Sequence, residues 1–282
     1  MGVATRLQPR SPAARSARAL RLGSVSFLNA KPLIYGLVGA EGIELGLDVP
    51  SRLLDGMREG GYDVALLPVI DYQRMDGLRM LTSGGIGCDG PTLTVRIFSP
   101  VPIEKIETLA CDTDSHTSVA LARIVLAESY GLHPEFVPLT AFREGQAAKG
   151  GVAKLLIGDK VVAQEPPRSL MPHQLDLGEA WKRLTGLPFL FAAWMARDGV
   201  ELGNLPQTLA GAKAKGLAHV DEIIAREAAP VGWPLDVARR YLTQNLVFDI
   251  GPRQLDAVRR FHDLAFRHGV LPSPPRPIAV VP

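Results

Sequence analysis

The stretch Asp63-Val64-Ala65-Leu66-Leu67-Pro68 decides the fold class. Its apolar residues do not alternate with polar ones, so a strand made from them is covered on both faces, as happens when helices pack on either side of a sheet. Working outward, Leu20 to Phe27 and Ile43 to Val49 read as two earlier strands. Between them Pro32 to Leu37 starts a helix, because proline is tolerated in a first turn where its missing N–H has no partner to lose. Ser51 is the candidate N-cap of the next helix, which Gly60 and Gly61 end. Three strand–helix steps therefore fill the first ~70 residues and predict an α/β protein with a largely parallel sheet.

Further along, Thr92 to Ser99 and Thr108 to Asp112 read as strands, the first fed by a glycine-rich turn at Gly84–Pro91. From Ser115 the pattern turns helical, with Val119, Ala122, Val125 and Leu126 on one face until Gly131. Glu135 to Pro138 and Lys154 to Ile157 are short strands, Val161 to Pro172 a loop, and Glu179 to Leu184 a short helix. Pro188 to Ala196 is a strand returning to the first lobe, and everything after it is helical, with Leu255, Val258, Phe261 and Leu264 sharing a face. The expected architecture is two-lobed: residues 21–107 plus 191–282 form one α/β lobe, 108–190 an inserted second, and a ligand cleft lies between them.

Composition narrows the function. A chain of 282 residues that is 46% hydrophobic can bury two modest cores. Its formal charge is +2, and Arg6, Arg10, Arg15, Arg18 and Arg21 gather near the N-terminus without an acidic neighbour. Without them the body is near-neutral to acidic, which gives no basic face for nucleic acid. Residues 1–20 read as a disordered basic tail on composition, and an organelle transit peptide also suits an Arg- and Ser-rich segment without acids. They lack the continuous apolar stretch of a secretory signal, and no run approaches the ~20 residues that span a bilayer. Cys88 and Cys111 have neither metal-ligand spacing nor the density of a disulfide scaffold. A cytoplasmic protein acting on a small molecule is expected, with no nucleic-acid or membrane partner.

Four segments can carry chemistry. In V-S-F-L-N-A-K-P-L at 25–33, a strand end passes into a helix, so Ser26 and Asn29 stand where a crevice opens. Asn29 either turns its uncharged donors and acceptor toward a ligand or merely caps the turn. The run G-G-I-G-C-D-G-P at 84–91 formally contains G-x-G-x-x-G, but a β-rich segment follows rather than a helix, so it is no dinucleotide motif. It nevertheless brings backbone near a ligand at Asp89 and Gly90, and feeds a strand on which Thr92 and Thr94 alternate onto one face. The third segment, Asp112 to Ser118, opens a helix, whose positive end and the hydroxyls of Ser115, Thr117 and Ser118 suit an anion; an unliganded capped helix has the same signature. His116 lies among them, as a contact or a bystander. At the fourth, Gly158 and Asp159 follow a strand end, and Asp159 either orients a ligand hydroxyl or caps a turn. Phe191 and Trp194 default to core. No G-x-x-x-x-G-K-[ST], H-E-x-x-H, C-x-x-C or G-x-S-x-G occurs, and the six histidines are dispersed, so a site without metal or cofactor is expected.

Taken together, V-S-F-L-N-A-K-P-L at 25–33, G-C-D-G-P at 87–91, the S-x-T-S segment at 115–118, L-L-I-G-D at 155–159 and D-L-G-E-A-W-K-R-L-T-G-L-P-F at 176–189 resemble the chorismate dehydratase family of the futalosine menaquinone pathway. The resemblance covers roughly residues 20–270, in order. It implies a type II periplasmic-binding-protein fold in a cytoplasmic enzyme, and dehydration of the dicarboxylate chorismate to 3-[(1-carboxyvinyl)oxy]benzoate without a cofactor. It also implies that Asn29 is the family's active-site asparagine and that Thr94 stands where the family has a serine. No general base stands in these motifs, and the family suggests that the substrate's enolpyruvyl carboxylate takes the proton. A non-catalytic solute-binding protein for small anions is the alternative on the same fold; a transcriptional effector-binding module needs a helix-turn-helix that residues 1–20 do not supply.

Overall fold

The computed structural model describes residues 19–112, 115–141 and 152–282. The chain forms β1 (Leu20–Val25), β2 (Ile43–Asp48), α1 (Pro50–Arg58), β3 (Val64–Pro68), β4 (Leu78–Cys88), β5 (Val95–Ser99) and β6 (Thr108–Cys111). It continues through α2 (His116–Tyr130), β7 (Glu135–Pro138), β8 (Val152–Ile157), α3 (Asp159–Ala163), β9 (His173–Asp176), α4 (Leu177–Thr185) and β10 (Phe189–Arg197). α5 (Leu205–Ala218), α6 (Val220–Ile223), α7 (Leu235–Arg240), β11 (Leu246–Val247), α8 (Pro252–Arg267) and β12 (Val280–Val281) complete it.

One sheet runs β11-β4-β10-β3-β1-β2, with β12 also on β4, and the other runs β7-β6-β8-β5-β9. β3, the stretch that decides the fold class, is buried at all five positions and central in its sheet. Both sheets are mixed rather than largely parallel. β1 pairs parallel with β2 and β3, and β6 with β7 and β8, as strand–helix steps require. β10 and β5 run antiparallel to their neighbours because each enters its sheet straight from the other lobe, with no crossover helix to reverse it. The chain crosses between sheets at 89–94 and at 186–188. β5 thus belongs to the second sheet, which starts at Val95 and not at 108.

Several local expectations change. Gly84, Gly85 and Gly87 lie inside β4 instead of forming a turn. A Cβ on Gly85 would sit 2.6 Å from the Ala192 carbonyl oxygen, and one on Gly87 2.6 Å from that of Phe189. Glycine there lets β4 press against β10 where their register shifts between Leu190 and Ala192. Thr92 and Thr94 precede β5 rather than alternating along it, because Leu93 takes a left-handed φ of 71°. After Phe27 a 3-10 turn, Leu28–Ile34, absorbs Pro32. α1 opens at Pro50 behind Val49, so Ser51 lies within its first turn and is not the cap. The region after β10 is not all helical, since β11 and β12 add to the edge of β4. Arg21, grouped by sequence with the basic N-terminal segment, is buried in β1; the rest of that segment, to residue 18, lies outside the described residues.

α2 has Ser115 as N-cap, its hydroxyl accepting the Ser118 N–H, and Gly131 at φ 66° as C-cap. Ala120, Leu121 and Ile124 are buried along with Ala122, Val125 and Leu126, so the helix is enclosed on more than the single face its periodicity predicts. One apolar core runs through both sheets. At the second crossing Trp181 of α4 meets Phe189 edge-on at 5.1 Å, and Phe189 meets Phe191 and Phe261 of β10 and α8 in the same manner. The Trp181 indole N–H donates to the Pro188 carbonyl at 2.9 Å, fixing the return strand. Such aromatic contacts add about 0.5–1.5 kcal/mol each beyond burial.

Candidate active site

The ends of β1, β3 and β8, the segment before β5 and the start of α2 converge on a cavity of about 590 Å³, open space at its mouth included. Phe27, Ile86, Ile157, Phe191 and Leu246 give it apolar walls. Its polar lining is Asn29, Thr92, Thr94, Ser115, Ser118 and Tyr241, all uncharged in their ordinary state. A cleft of this size, mostly apolar with a few convergent polar groups, is the expected form of a small-molecule site.

Asn29 sits in the 3-10 turn after β1, and its Oδ1 is buried without a protein partner. The Thr92 Oγ1 is likewise buried and unpartnered. Buried polar atoms are nearly always paired, and these two orphans belong to residues that line one cavity, which makes them candidate partners for a ligand's groups. Thr94, 2% exposed, shares a 2.7 Å hydrogen bond with the hydroxyl of Tyr241. Burial pushes the Tyr241 phenol well above its ordinary pKa, while the neighbouring Thr94 and Asn29 side chains pull it down less strongly. Tyr241 is therefore neutral at physiological pH, and either it or Thr94 donates in their shared bond. At the opposite wall the Ser115 hydroxyl donates to that of Ser118 at 2.8 Å, at the positive end of α2.

Asn29, Thr94, Ser115, Ser118 and Gly158 are thus brought together. Asp159 stands just behind. Its carboxylate accepts the Leu28 N–H at 3.3 and 3.4 Å, tying the second lobe to the turn that carries Asn29. Burial raises its pKa, against the pull of the Leu28 hydrogen bond and of Lys31. The remaining expected contacts point elsewhere. Ser26 is exposed and does not line the cavity. Asp89, beside Gly90, is engaged with Lys182 and Arg253 at the surface. His116 turns its Nδ1 to Asp71 at 2.9 Å, and the Thr117 hydroxyl accepts the Ile70 N–H at 3.3 Å, so both dock α2 onto the first lobe. Phe191, read as core, is in the core and also walls the cavity, whereas Trp194 is buried away from it. Tyr241 escapes sequence reading because it lies in the helical region after β10, where nothing local distinguishes it from a core tyrosine. Among the described residues no cluster of His, Cys, Asp and Glu can hold a metal, and no helix is long and apolar enough to cross a membrane.

The model of the menaquinone biosynthesis family matches residues 20–267, nearly the whole described chain. The chain belongs to that family. It is 29% identical over 227 residues to the chorismate dehydratase of Thermus thermophilus, covering 75% of this chain and 82% of that one. A solved protein of Archaeoglobus fulgidus shares the two-lobed fold with a TM-score of 0.67 at 15% identity, over 91% of this chain and all of the other. An ABC transporter structure from Parabacteroides distasonis does so with a TM-score of 0.61 at 14% identity, over 94% and 99%.

Proposed function

We propose that this protein is a chorismate dehydratase, a hydro-lyase converting chorismate to 3-[(1-carboxyvinyl)oxy]benzoate for menaquinone by the futalosine route. The observation that carries the reading is a cavity in which Asn29, Thr94 and Tyr241 form one cluster of neutral hydrogen-bonding groups opposite the hydroxyl-rich start of α2. The family match and the Thermus thermophilus relative support it.

The reaction breaks the C–H bond at the ring carbon bearing the enolpyruvyl ether and the C–O bond of the neighbouring hydroxyl. The electron pair left by the proton becomes the new ring double bond, and hydroxide plus proton leave as water. Nothing is oxidised overall, so acid–base chemistry suffices without a cofactor. Charge developing on proton loss spreads through the ring alkene to the ring carboxylate, where fixed neutral donors stabilise it most. The Asn29 amide and the Thr94–Tyr241 pair supply that role. The substrate's enolpyruvyl carboxylate takes the proton, since the cavity's described lining offers no carboxylate or imidazole of its own. The apolar walls exclude water and keep that carboxylate basic. The reading places the enzyme in the cytoplasm, where chorismate is made.

Incubating the purified chain with chorismate tests it. The expected result is an aromatic ultraviolet spectrum and a product lighter by one water. Tight binding with chorismate recovered intact would instead establish a solute-binding protein.

A further inference from the structure

One wall of the cavity rests on a segment that is conformationally strained. Leu93 stands between Thr92 and Thr94 with φ 71°, and among the described residues it is the non-glycine with positive φ. A branched side chain rarely adopts this conformation, and it persists only where the surroundings enforce it. The enforcing group is the carboxylate of Asp176. Its Oδ2 accepts the Leu93 N–H at 2.8 Å, and its Oδ1 accepts the Thr92 N–H at 3.0 Å. The same Oδ1 caps α4 by accepting the N–H groups of Gly178 and Glu179 at 3.0 and 3.1 Å.

A second observation points the same way. A Cβ on Gly178 would lie 2.6 Å from both the Cys88 sulfur and the Gly90 carbonyl oxygen, and 3.1 Å from the Thr92 Cβ. The start of α4 is therefore pressed against the whole crossing segment, with no room for a side chain. Extended backbone at 93 would carry Thr92 and Thr94 along one face of a straight strand, without the bend that Leu93 makes where the chain crosses between the sheets. With Leu93 left-handed, both threonines line the cavity, one with its oxygen orphaned and the other bonded to Tyr241.

We propose that Asp176 is a positioning residue: it holds Leu93 left-handed and so presents the Thr92 and Thr94 hydroxyls to the substrate. The proposal rests on the dehydratase reading for its catalytic consequence and on geometry alone for the clamp. It assigns a role to the D-L-G-E-A-W segment, which contributes nothing directly to the cavity. Asp176→Asn separates the clamp from the cap, because an asparagine oxygen still caps α4 while its NH2 faces the Leu93 N–H, donor against donor.

The test combines chorismate turnover with amide hydrogen exchange on the full chain. Asp176→Asn is expected to lower kcat about 100-fold, the scale of a displaced catalytic group, with a smaller change in KM, and to speed exchange at Leu93 while the core amides keep their protection. Adding Leu93→Gly, which tolerates positive φ, recovers at least about tenfold of that loss. Should Asp176→Asn fail to fold, Leu93→Val leaves the carboxylate and the cap intact while disfavouring positive φ, and lowers kcat in the same direction. Wild-type turnover in Asp176→Asn or Leu93→Val, or a double variant no faster than Asp176→Asn alone, overturns the proposal. Wild-type protein that leaves chorismate untouched overturns the dehydratase reading and the catalytic half with it, and Leu93 exchange still decides the clamp. Unchanged Leu93 exchange in Asp176→Asn refutes the clamp whatever the enzyme does.

Discussion

Asn29→Leu should leave the protein folded and at least as stable while removing nearly all of its activity. Two quantities set the expectation. The buried, unpartnered Oδ1 of Asn29 costs about 1–3 kcal/mol in the empty protein. Against that, the neighbouring Tyr241 hydroxyl loses one favourable contact, worth about 1 kcal/mol. The net change lies between about 0 and +2 kcal/mol, and each kcal/mol moves Tm by roughly 2–4 °C in a domain of this size. Leucine nearly matches asparagine in shape, so no cavity penalty enters. In turnover, losing one preorganised donor at developing charge costs about 10²–10³ in kcat. Calorimetry beside a chorismate assay measures both. A variant that turns over like wild type removes Asn29 from the chemistry, and a Tm lower by more than about 4 °C shows that its carboxamide holds the fold together instead.

Other perturbations probe the surroundings. Tyr241→Phe deletes the partner of Thr94 at 2.7 Å; stability should fall by about 1 kcal/mol in urea titration, and kcat by about 10²-fold. Gly85→Ala forces a Cβ to 2.6 Å from the Ala192 carbonyl, and the opening of β4 from β10 should cost about 1–3 kcal/mol. His262 donates from Nε2 to the Val69 carbonyl and accepts at Nδ1 from the Gln73 amide, and burial lowers its pKa from 6.5 to about 4. The unfolded chain then binds the proton more readily, so stability falls as pH drops from about 6.5 toward 4, by about 3 kcal/mol in total. Urea titrations from pH 7 to 4 should show a shallower acid limb in His262→Leu; an unchanged limb would place that proton uptake elsewhere.

Much of this is legible in the sequence where a local rule acts alone. The apolar run Asp63–Pro68, the turn to helix at Ser115 and the Gly131 stop each follow from residue type and spacing, and the structure has them within a residue of where they are expected. The reading slips where a long-range contact overrides the local rule. Glycine usually marks a turn, yet at 85 and 87 it is there for the close approach of β10, which comes from about a hundred residues later in the chain. Thr92 and Thr94 look like strand residues because nothing nearby reveals that Asp176 bends the backbone between them. His116 and Thr117 sit in a good anion-binding segment, but first-lobe groups claim them.

On the dehydratase reading proposed above, the distribution of carboxylates suits a dianionic substrate. Asp71, Asp159 and Asp176 stand near the site's framework, and each is engaged: with His116, with the Leu28 amide, and with the amides of Thr92 and Leu93. They brace the walls from behind, while the described lining carries neutral donors. A carboxylate in the lining, 4 Å from one of the substrate's own, would cost about 4 kcal/mol at an effective dielectric near 20. A lysine or arginine there would hold the carboxylates equally in ground and transition states, which tightens binding without speeding the reaction. Neutral dipoles fixed at the point where charge accumulates do the opposite. A dianion that loses a proton to its own carboxylate needs a cavity of this kind, with the acids outside and the amide and hydroxyls within.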